Sequence, residues 1–173
     1  MPDLWLGVDP GSKGAAATLD ESGRVSDTFL FDGQNFASIS QWFHRLELVR
    51  FGVIEQVSAM PGQGVSSMFT FGERYGFVQG VLSAYGMSHT LVRPAAWRKV
   101  VGLSLPTKRE GQDANARTRE VKGATVAEAL RRWPEAEPML RRVKDWPIGD
   151  ALFLADCARR MSMAPAEVSS RAS

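Results

Sequence analysis

The chain has 173 residues, of which 44% are hydrophobic and 23% charged, and its formal net charge is +2. That length allows one domain with a substantial core, and no apolar run approaches the roughly 20 residues needed to span a bilayer, so no membrane partner is expected. The single cysteine excludes an internal disulfide and a thiolate zinc cluster, and the N-terminus lacks a secretory pattern, so a cytosolic protein is expected.

Hydrophobic periodicity and turn residues divide the chain into elements that predict an α/β fold. In chain order they are strands over 4–9, 14–19 and 24–31, a helix over 35–49, a strand over 53–57, a helix over 67–85, a strand over 90–92, and helices over 94–97, 125–132, 135–142 and 150–161. A strand meander followed by helical crossovers is typical of a mixed five-stranded sheet flanked by helices. The polar stretch 103–119 is expected to be mobile, and 1–163 to form one domain followed by a flexible tail over 164–173.

Four acids lie at the ends or starts of apolar runs. Asp9 follows Leu-Trp-Leu-Gly-Val, Glu55 follows Phe-Gly-Val-Ile, and Asp145 and Asp150 precede Ala-Leu-Phe-Leu-Ala. Two carboxylates about 4 Å apart repel by roughly 4 kcal/mol at an effective dielectric near 20. Such a cluster stays ionised only when hard cations such as Mg²⁺ or Mn²⁺ lie between its members. The four acids therefore predict a metal-dependent phosphodiesterase.

Two of these acids also have simpler interpretations. Asp9 lies in the motif Gly-Val-Asp-Pro-Gly-Ser-Lys-Gly over 7–14, and an acid with glycines after a first strand also occurs in sugar-kinase and actin-like ATPases or in an ordinary turn. Asp150 is predicted to begin a helix, where a carboxylate serves as a cap. Asp156, six residues further on, is expected on another helix face, exposed or salt-bridged.

Basic residues concentrate between positions 93 and 142, whereas acids outnumber bases over residues 1–60. That asymmetry suggests a polyanionic partner on one side of the fold. The alternative is a solvated helical surface. The bases of this region include Arg98, Lys99, Lys108, Arg109, Arg117, Arg119, Lys122, Arg131, Arg132, Arg141 and Arg142.

The acids and three further segments together resemble the RuvC-like Holliday junction resolvases of the RNase H-like superfamily, especially their phage and plant organellar branches. The segments are 66–82 after the second acid, the stretch 92–99 with its proline, tryptophan and lysine, and the Asp-Ala-Leu helix over 149–155. The spacing of five between Asp145 and Asp150 departs from the three or four that the family pattern has.

The resemblance implies an RNase H-like fold and a homodimer that cuts two opposed strands of a four-way junction. It also implies two Mg²⁺ or Mn²⁺ ions per active site at Asp9, Glu55, Asp145 and Asp150, one activating a water and the other stabilising the leaving 3′ oxygen. The setting would be a bacterial or phage-infected cytoplasm, or an organellar matrix after loss of a transit peptide. Two alternatives are a catalytically inactive module that binds branched DNA and an actin-like or sugar-kinase-type ATP-binding domain.

Two surface features complete the prediction. Gly72, Gly76, Gly80 and Ala84 recur every four residues on one helix face, which favours either a dimer contact or tight packing on the chain's own sheet. Phe69 is a candidate for stacking on unpaired bases, although a core position is the alternative. The residues predicted to contact DNA are Ser66, Phe69, Lys99, Lys108, Arg109, Arg117, Arg119 and Lys122.

Overall fold

One five-stranded sheet forms the centre of the computed structural model, which describes residues 3–11, 13–46, 48–57 and 64–163. Its strands lie in the order β3-β2-β1-β4-β5. Strands β1 and β2, and β2 and β3, are antiparallel, whereas β4 runs parallel to both β1 and β5, so the predicted mixed sheet is confirmed. The strands are β1 (Leu4–Asp9), β2 (Ala15–Leu19), β3 (Val25–Leu30), β4 (Val49–Glu55) and β5 (His89–Val92).

The turn between β2 and β3 is organised by Asp20. Its carboxylate accepts hydrogen bonds from the Ser22 hydroxyl at 2.7 Å and the Arg24 amide at 3.0 Å. Gly23 takes a φ of +80°, a conformation that side chains disfavour. The predicted hairpin-like turn over 20–23 is therefore present, and it fixes the pairing of the meander.

Five α-helices flank the sheet, and no helix of the described residues is long and apolar enough to cross a membrane. Short 3₁₀ turns at Pro134–Met139 and Val143–Asp145 connect the last two helices. The helices are α1 (Phe36–His44), α2 (Val65–Ala84), α3 (Pro94–Val101), α4 (Ala114–Arg132) and α5 (Trp146–Met163).

Alternating side chains of β1 supply two separate hydrophobic clusters. Trp5 packs on the face covered by α3, α4 and α5, whereas Leu6 and Val8 pack on the face covered by α1 and α2. Successive side chains of a strand point to opposite faces, so Asp9 lies on the same face as Trp5. By the same alternation Glu55 shares the face of Val53, which belongs to the α5 cluster. Both acids are thus directed to the α3–α5 side.

Several predicted boundaries are wrong. The helix predicted over 35–49 ends at His44, the strand predicted over 53–57 is Val49–Glu55, and the helix predicted over 94–97 continues to Val101. The helix predicted from 125 begins at Ala114, so six of the 17 residues of the stretch 103–119, which is expected to be mobile, are helical. The segment predicted as a helix over 135–142 forms a 3₁₀ turn, and α5 begins at Trp146 rather than at 150. Asp113 caps α4 by accepting a hydrogen bond from the Ala116 amide at 2.9 Å, which explains the early start. The predicted tail over 164–173 and the loop over 58–63 lie outside the described residues.

Candidate active site

Asp9 and Glu55 end two adjacent parallel strands. The last registered pair between β1 and β4 is Val8 with Ile54, so the two acids follow at the same edge of the sheet. Asp9 is 6% exposed, and one of its carboxylate oxygens accepts a hydrogen bond from the Gly11 amide at 3.0 Å. Glu55 accepts a hydrogen bond from the Trp97 indole N–H at 2.9 Å. The sheet order therefore brings together two acids that are 46 residues apart in sequence.

Asp150 reaches this edge from α5, which packs directly over β1. A Cβ at Gly7 would overlap the Ala151 carbonyl oxygen and the Ala155 amide, so only glycine permits this close approach. Asp150 is the fifth residue of α5 and is 6% exposed. Because it lies in the second turn, it cannot be the helix cap, and the capping interpretation of Asp150 is wrong.

The three carboxyls have raised pKa values. Burial raises the pKa of Asp9 to about 7, opposed by the hydrogen bond from Gly11 and reinforced by the charge of Glu55. Burial raises the pKa of Asp150 well above its usual range, and the charges of Asp9 and Glu55 raise it further. Burial also raises the pKa of Glu55, against the opposing effects of the Trp97 hydrogen bond and the Arg98 charge. Asp9 and Asp150 are buried and Glu55 is half-buried. The negative charges of Asp9 and Glu55 raise the pKa of Asp150, a repulsion that a bound cation would relieve.

The donor set fits a hard divalent cation, because carboxylate oxygens are the ligands that such cations prefer. The side chains are not gathered around one point, however. Within the described residues, no group of three or more Asp, Glu, His or Cys side chains is arranged so that it could hold a metal ion. One oxygen of Asp9 and one of Glu55 are instead engaged by the Gly11 amide and the Trp97 indole.

Asp145 lies in a different environment from the other three acids. It ends the 3₁₀ turn before α5, and its carboxylate accepts hydrogen bonds from the Arg142 amide, Nε and Nη2 at 3.0, 3.1 and 3.0 Å. Its charge does not contribute to the pKa shifts of Asp9, Glu55 or Asp150. The structure thus associates Asp145 with Arg142, and its predicted role as a metal ligand stays a prediction.

Asp156 forms ion pairs, so the expectation of a salt-bridged residue is confirmed. It is buried, so the expectation of a surface position is wrong. Its carboxylate lies 2.8 Å from Arg160 Nε, 3.4 Å from Arg159 Nη2 and 3.9 Å from Arg132 Nη1. Arg132 also donates to the Val101 carbonyl oxygen at 2.7 Å. This group joins the C-terminal ends of α3 and α4 to α5, so it supports the helices around the site.

A basic cleft opens beside Asp150. Its volume is about 240 Å³, and a second cleft of about 350 Å³ shares Lys122 and Trp146 with it. The charge of Lys122 lowers the pKa of both Asp9 and Asp150, so its ammonium group faces the acids. The cationic residues that line one cleft or both are Lys13, Arg98, Arg117, Arg119, Lys122 and Lys144.

Two arginines that line the first cleft have side-chain donors without an acceptor in the described part of the chain. Arg98 Nε and Arg117 Nη1 are buried and have no hydrogen-bond acceptor among the described residues, although Arg117 Nη1 lies 3.7 Å from Glu120. A buried guanidinium donor without an acceptor is costly.

The residues predicted to contact DNA fall into three groups. Arg117, Arg119 and Lys122 line the clefts. Arg109, with Nη2 3.1 Å from Glu120, and Lys108 lie on the exposed loop before α4, and Lys99 is exposed on α3. Ser66 and Phe69 are exposed in the first two turns of α2, and Phe69 is 69% exposed, so its core alternative is wrong.

Two residues beside the acids were missing from the predicted site. The sequence assigns Trp97 only to a motif and Arg98 only to the basic region. In the structure Trp97 donates a hydrogen bond to Glu55, and the charge of Arg98 lowers the pKa of Glu55 and Asp150. No local sequence signal links Trp97 to Glu55, because 42 residues separate them. Trp97 and Glu55 are close together because α3 follows β5, and β5 lies beside β4, the strand that ends at Glu55.

Comparison with solved structures shows that the fold is that of RuvC-type, RNase H-like proteins. RuvC of T. thermophilus, solved in complex with a Holliday junction substrate, aligns with a TM-score of 0.58 over 92% of this chain and 94% of the RuvC chain. The two sequences are only 12% identical, so the similarity concerns the fold. No protein-family model and no curated protein sequence matches the chain, and the predicted resemblance to phage and organellar branches stays a prediction.

Proposed function

We propose that the protein is a metal-dependent, structure-selective endonuclease that resolves Holliday junctions or related branched DNA by paired phosphodiester hydrolysis. The observation that carries the proposal is that Asp9, Glu55 and Asp150 lie at one edge of the sheet, all with raised pKa values, beside a cleft lined by cationic side chains. The RuvC-type fold supports it, because the aligned RuvC was solved with a junction.

The chain's own residues have distinct tasks in this hydrolysis. Arg98, Arg117 and Lys122 would bind phosphates in the cleft beside Asp150 and hold the scissile bond in place. The three carboxylates would hold divalent cations, which when bound supply activation of a water and charge stabilisation of the departing oxygen. Lys122 Nζ packs 4.6 Å from the centre of the Trp146 ring, which fixes where its charge lies.

Cleavage of a synthetic four-way junction tests the proposal against its two alternatives. The purified protein should cut the junction with Mg²⁺, leave linear duplex of the same sequence largely intact, and do nothing in EDTA. Junction binding without cleavage at any Mg²⁺ or Mn²⁺ concentration would instead identify an inactive binding module. ATP binding without any affinity for junction DNA would favour the ATPase alternative.

Salt dependence of junction binding should identify the phosphate contacts. Each contact releases counterions, so log affinity falls with log salt by about 0.9 per contact. Lys122→Ala and Arg119→Ala should each flatten that slope by about one unit without changing the sequence cut. Arg109→Ala should change the slope less, because the guanidinium of Arg109 already donates a hydrogen bond to Glu120. Fluorescence anisotropy at several salt concentrations measures the slopes.

Arg131→Ala is the matched control for these variants. Arg131 lies on α4 like Lys122, is exposed, and pairs with Glu128 at 2.7 Å outside the two clefts. Its loss should leave the slope unchanged. If the combined Lys108, Arg109, Arg117 and Arg119 to Ala variant kept the wild-type slope, this region would be an ordinary solvated surface.

The proposed homodimer would use the exposed face of α2. A Cβ added to Gly72, Gly76 or Gly80 meets no atom of the described residues within 4 Å, so the prediction that this strip packs tightly on the chain's own sheet is wrong. Val65 and Phe69 continue the strip and are 80% and 69% exposed. Two scissile strands of a symmetric junction require two active sites related by a two-fold axis, which a second copy on this face would supply.

Gly76→Leu and Gly80→Leu should weaken the dimer without unfolding the monomer. No atom of the described residues lies within 4 Å of a Cβ built at either glycine, and replacing glycine in an exposed helix favours the helix by up to about 1 kcal/mol. Sedimentation should therefore show a folded monomer. Gly123→Leu, also open but on α4, is the control and should remain dimeric. A wild-type monomer that still makes paired incisions would refute the dimer.

A further inference from the structure

Trp97 donates the hydrogen bond that holds the candidate catalytic Glu55. The indole Nε1 lies 2.9 Å from Glu55 Oε1. An indole N–H only donates, so it binds a carboxylate oxygen as acceptor and cannot take up the proton of the acid. Bonds between a neutral donor and an ionised acceptor are shorter and stronger than neutral pairs. The contact therefore fixes one oxygen of Glu55 and leaves the other without a protein donor among the described residues.

The position of the indole is set by packing rather than by the acid. Trp97 is fully buried, and its ring stacks on Phe153 of α5 at 6.4 Å with an interplanar angle of 18°. Pro94 occupies the first turn of α3, and Gly102 ends the helix in the left-handed conformation. Because both ends of this short helix are fixed and the ring is enclosed, the donor direction is rigid.

We propose that Trp97 is a positioning residue for the proposed nuclease reaction: its indole N–H orients the Glu55 carboxylate so that Oε2 is the oxygen presented to a divalent cation. The proposal rests on the function proposed above. The simpler alternative is that a buried indole merely takes the nearest acceptor, since buried tryptophans usually find one. The two interpretations differ in what happens at the metal site when only the N–H is removed.

Trp97→Phe removes the donor and keeps an aromatic ring on Phe153. The matched control is Trp133→Phe, because Trp133 is also buried, also packs on Phe153 at 5.2 Å, and donates its indole N–H to the Gly23 carbonyl oxygen at 2.9 Å. Mn²⁺ affinity is measured by calorimetry, and kcat and KM are measured from the rate of cleavage at one site of a four-way junction. Loss of a residue that orients a metal ligand typically reduces affinity or activity by 10–100-fold.

Trp97→Phe should lose at least about tenfold in Mn²⁺ affinity and in kcat with little change in KM, while Trp133→Phe keeps the wild-type values. Equal effects of the two variants, or wild-type Mn²⁺ affinity in Trp97→Phe, would overturn the positioning role while leaving the nuclease function standing. Failure of the wild type itself to bind Mn²⁺ and cut DNA would overturn the proposed function, and this role with it.

A spectroscopic measurement covers the case in which Trp97→Phe does not fold. In protein labelled with ¹⁵N at its tryptophans, the Trp97 indole resonance should shift on Glu55→Gln and on adding Mg²⁺, whereas the Trp133 resonance stays in place. A Trp97 resonance that moves with neither change would overturn the proposal, since the indole would then not report on the acid or its cation.

Discussion

Asp150→Asn should reduce cleavage of a four-way junction by about 10²–10³-fold while leaving junction binding largely intact. The carboxylate is buried and its pKa is raised by burial and by the charges of Asp9 and Glu55, so its negative charge has no stabilising role without a cation. Removing one preorganised electrostatic group from a reaction centre costs about 10²–10³-fold in turnover. Asp9→Asn and Glu55→Gln should behave alike. Cleavage rates under single-turnover conditions, with binding measured in Ca²⁺, separate the two effects.

Asp145→Asn decides between the two roles of that residue. A loss as large as that of Asp150→Asn would place Asp145 among the metal ligands, as the sequence predicts. A folded variant with near-normal cleavage would leave Asp145 as the partner of Arg142, whose amide and guanidinium donate hydrogen bonds to its carboxylate. Near-normal turnover by Asp9→Asn would contradict the whole assignment, because Asp9 ends the central strand of the proposed site.

The stability of the metal-free protein relative to Asp9→Asn should fall as pH rises from about 4 to about 7. Asp9 has a pKa of about 7 in the folded protein against 3.8 ordinarily, so between these values the folded chain binds a proton that the unfolded chain has lost. The free energy of unfolding then decreases with pH through this window. The difference between the two pKa values corresponds to about 4 kcal/mol. The free energy of unfolding relative to Asp9→Asn should therefore be lower by about that amount above pH 7 than below pH 4. Denaturant unfolding of both proteins in EDTA measures the difference.

The comparison with Asp9→Asn removes the contributions of acids that do not interact with Asp9. Glu128, for example, has a pKa lowered to about 2 by hydrogen bonds from Arg131 and Arg132, so its stabilisation is lost only in acid and equally in both proteins. At pH 8, Mg²⁺ should stabilise the wild type by about 2.7 kcal/mol at a concentration of 100 times its Kd, and should not stabilise Asp9→Asn to the same extent. A difference between the two proteins that is independent of pH would show that Asp9 ionises normally.

Local patterns in the sequence were sufficient for the sheet and for two of the acids. Alternation of side chains along β1 and β4, and the Asp20–Gly23 turn, depend only on neighbouring residues. They placed Asp9 at the end of a strand and Glu55 within the strand predicted over 53–57. The structure ends that strand at Glu55, beside the end of β1.

Helix α4 shows where periodicity fails. Its buried residues Thr125, Val126 and Ala129 lie only in the C-terminal half, so the turns before them carry no apolar face to detect. A cap at Asp113 and the Arg117–Glu120 pair at 3.7 Å hold those turns instead.

The composition of the site was decided by tertiary structure. The sequence placed Asp145 and Asp150 together, but the start of α5 at Trp146 puts Asp150 in the second turn, while Asp145 bonds to Arg142. Gly7 allows α5 to lie against β1, and the position of α3 after β5 brings Trp97 to Glu55. Sequence patterns report interactions between near neighbours in the chain. Contacts between residues that are 42 or more positions apart depend on how the whole core packs the helices onto the sheet, because burial of that core determines which helix lies over which strand.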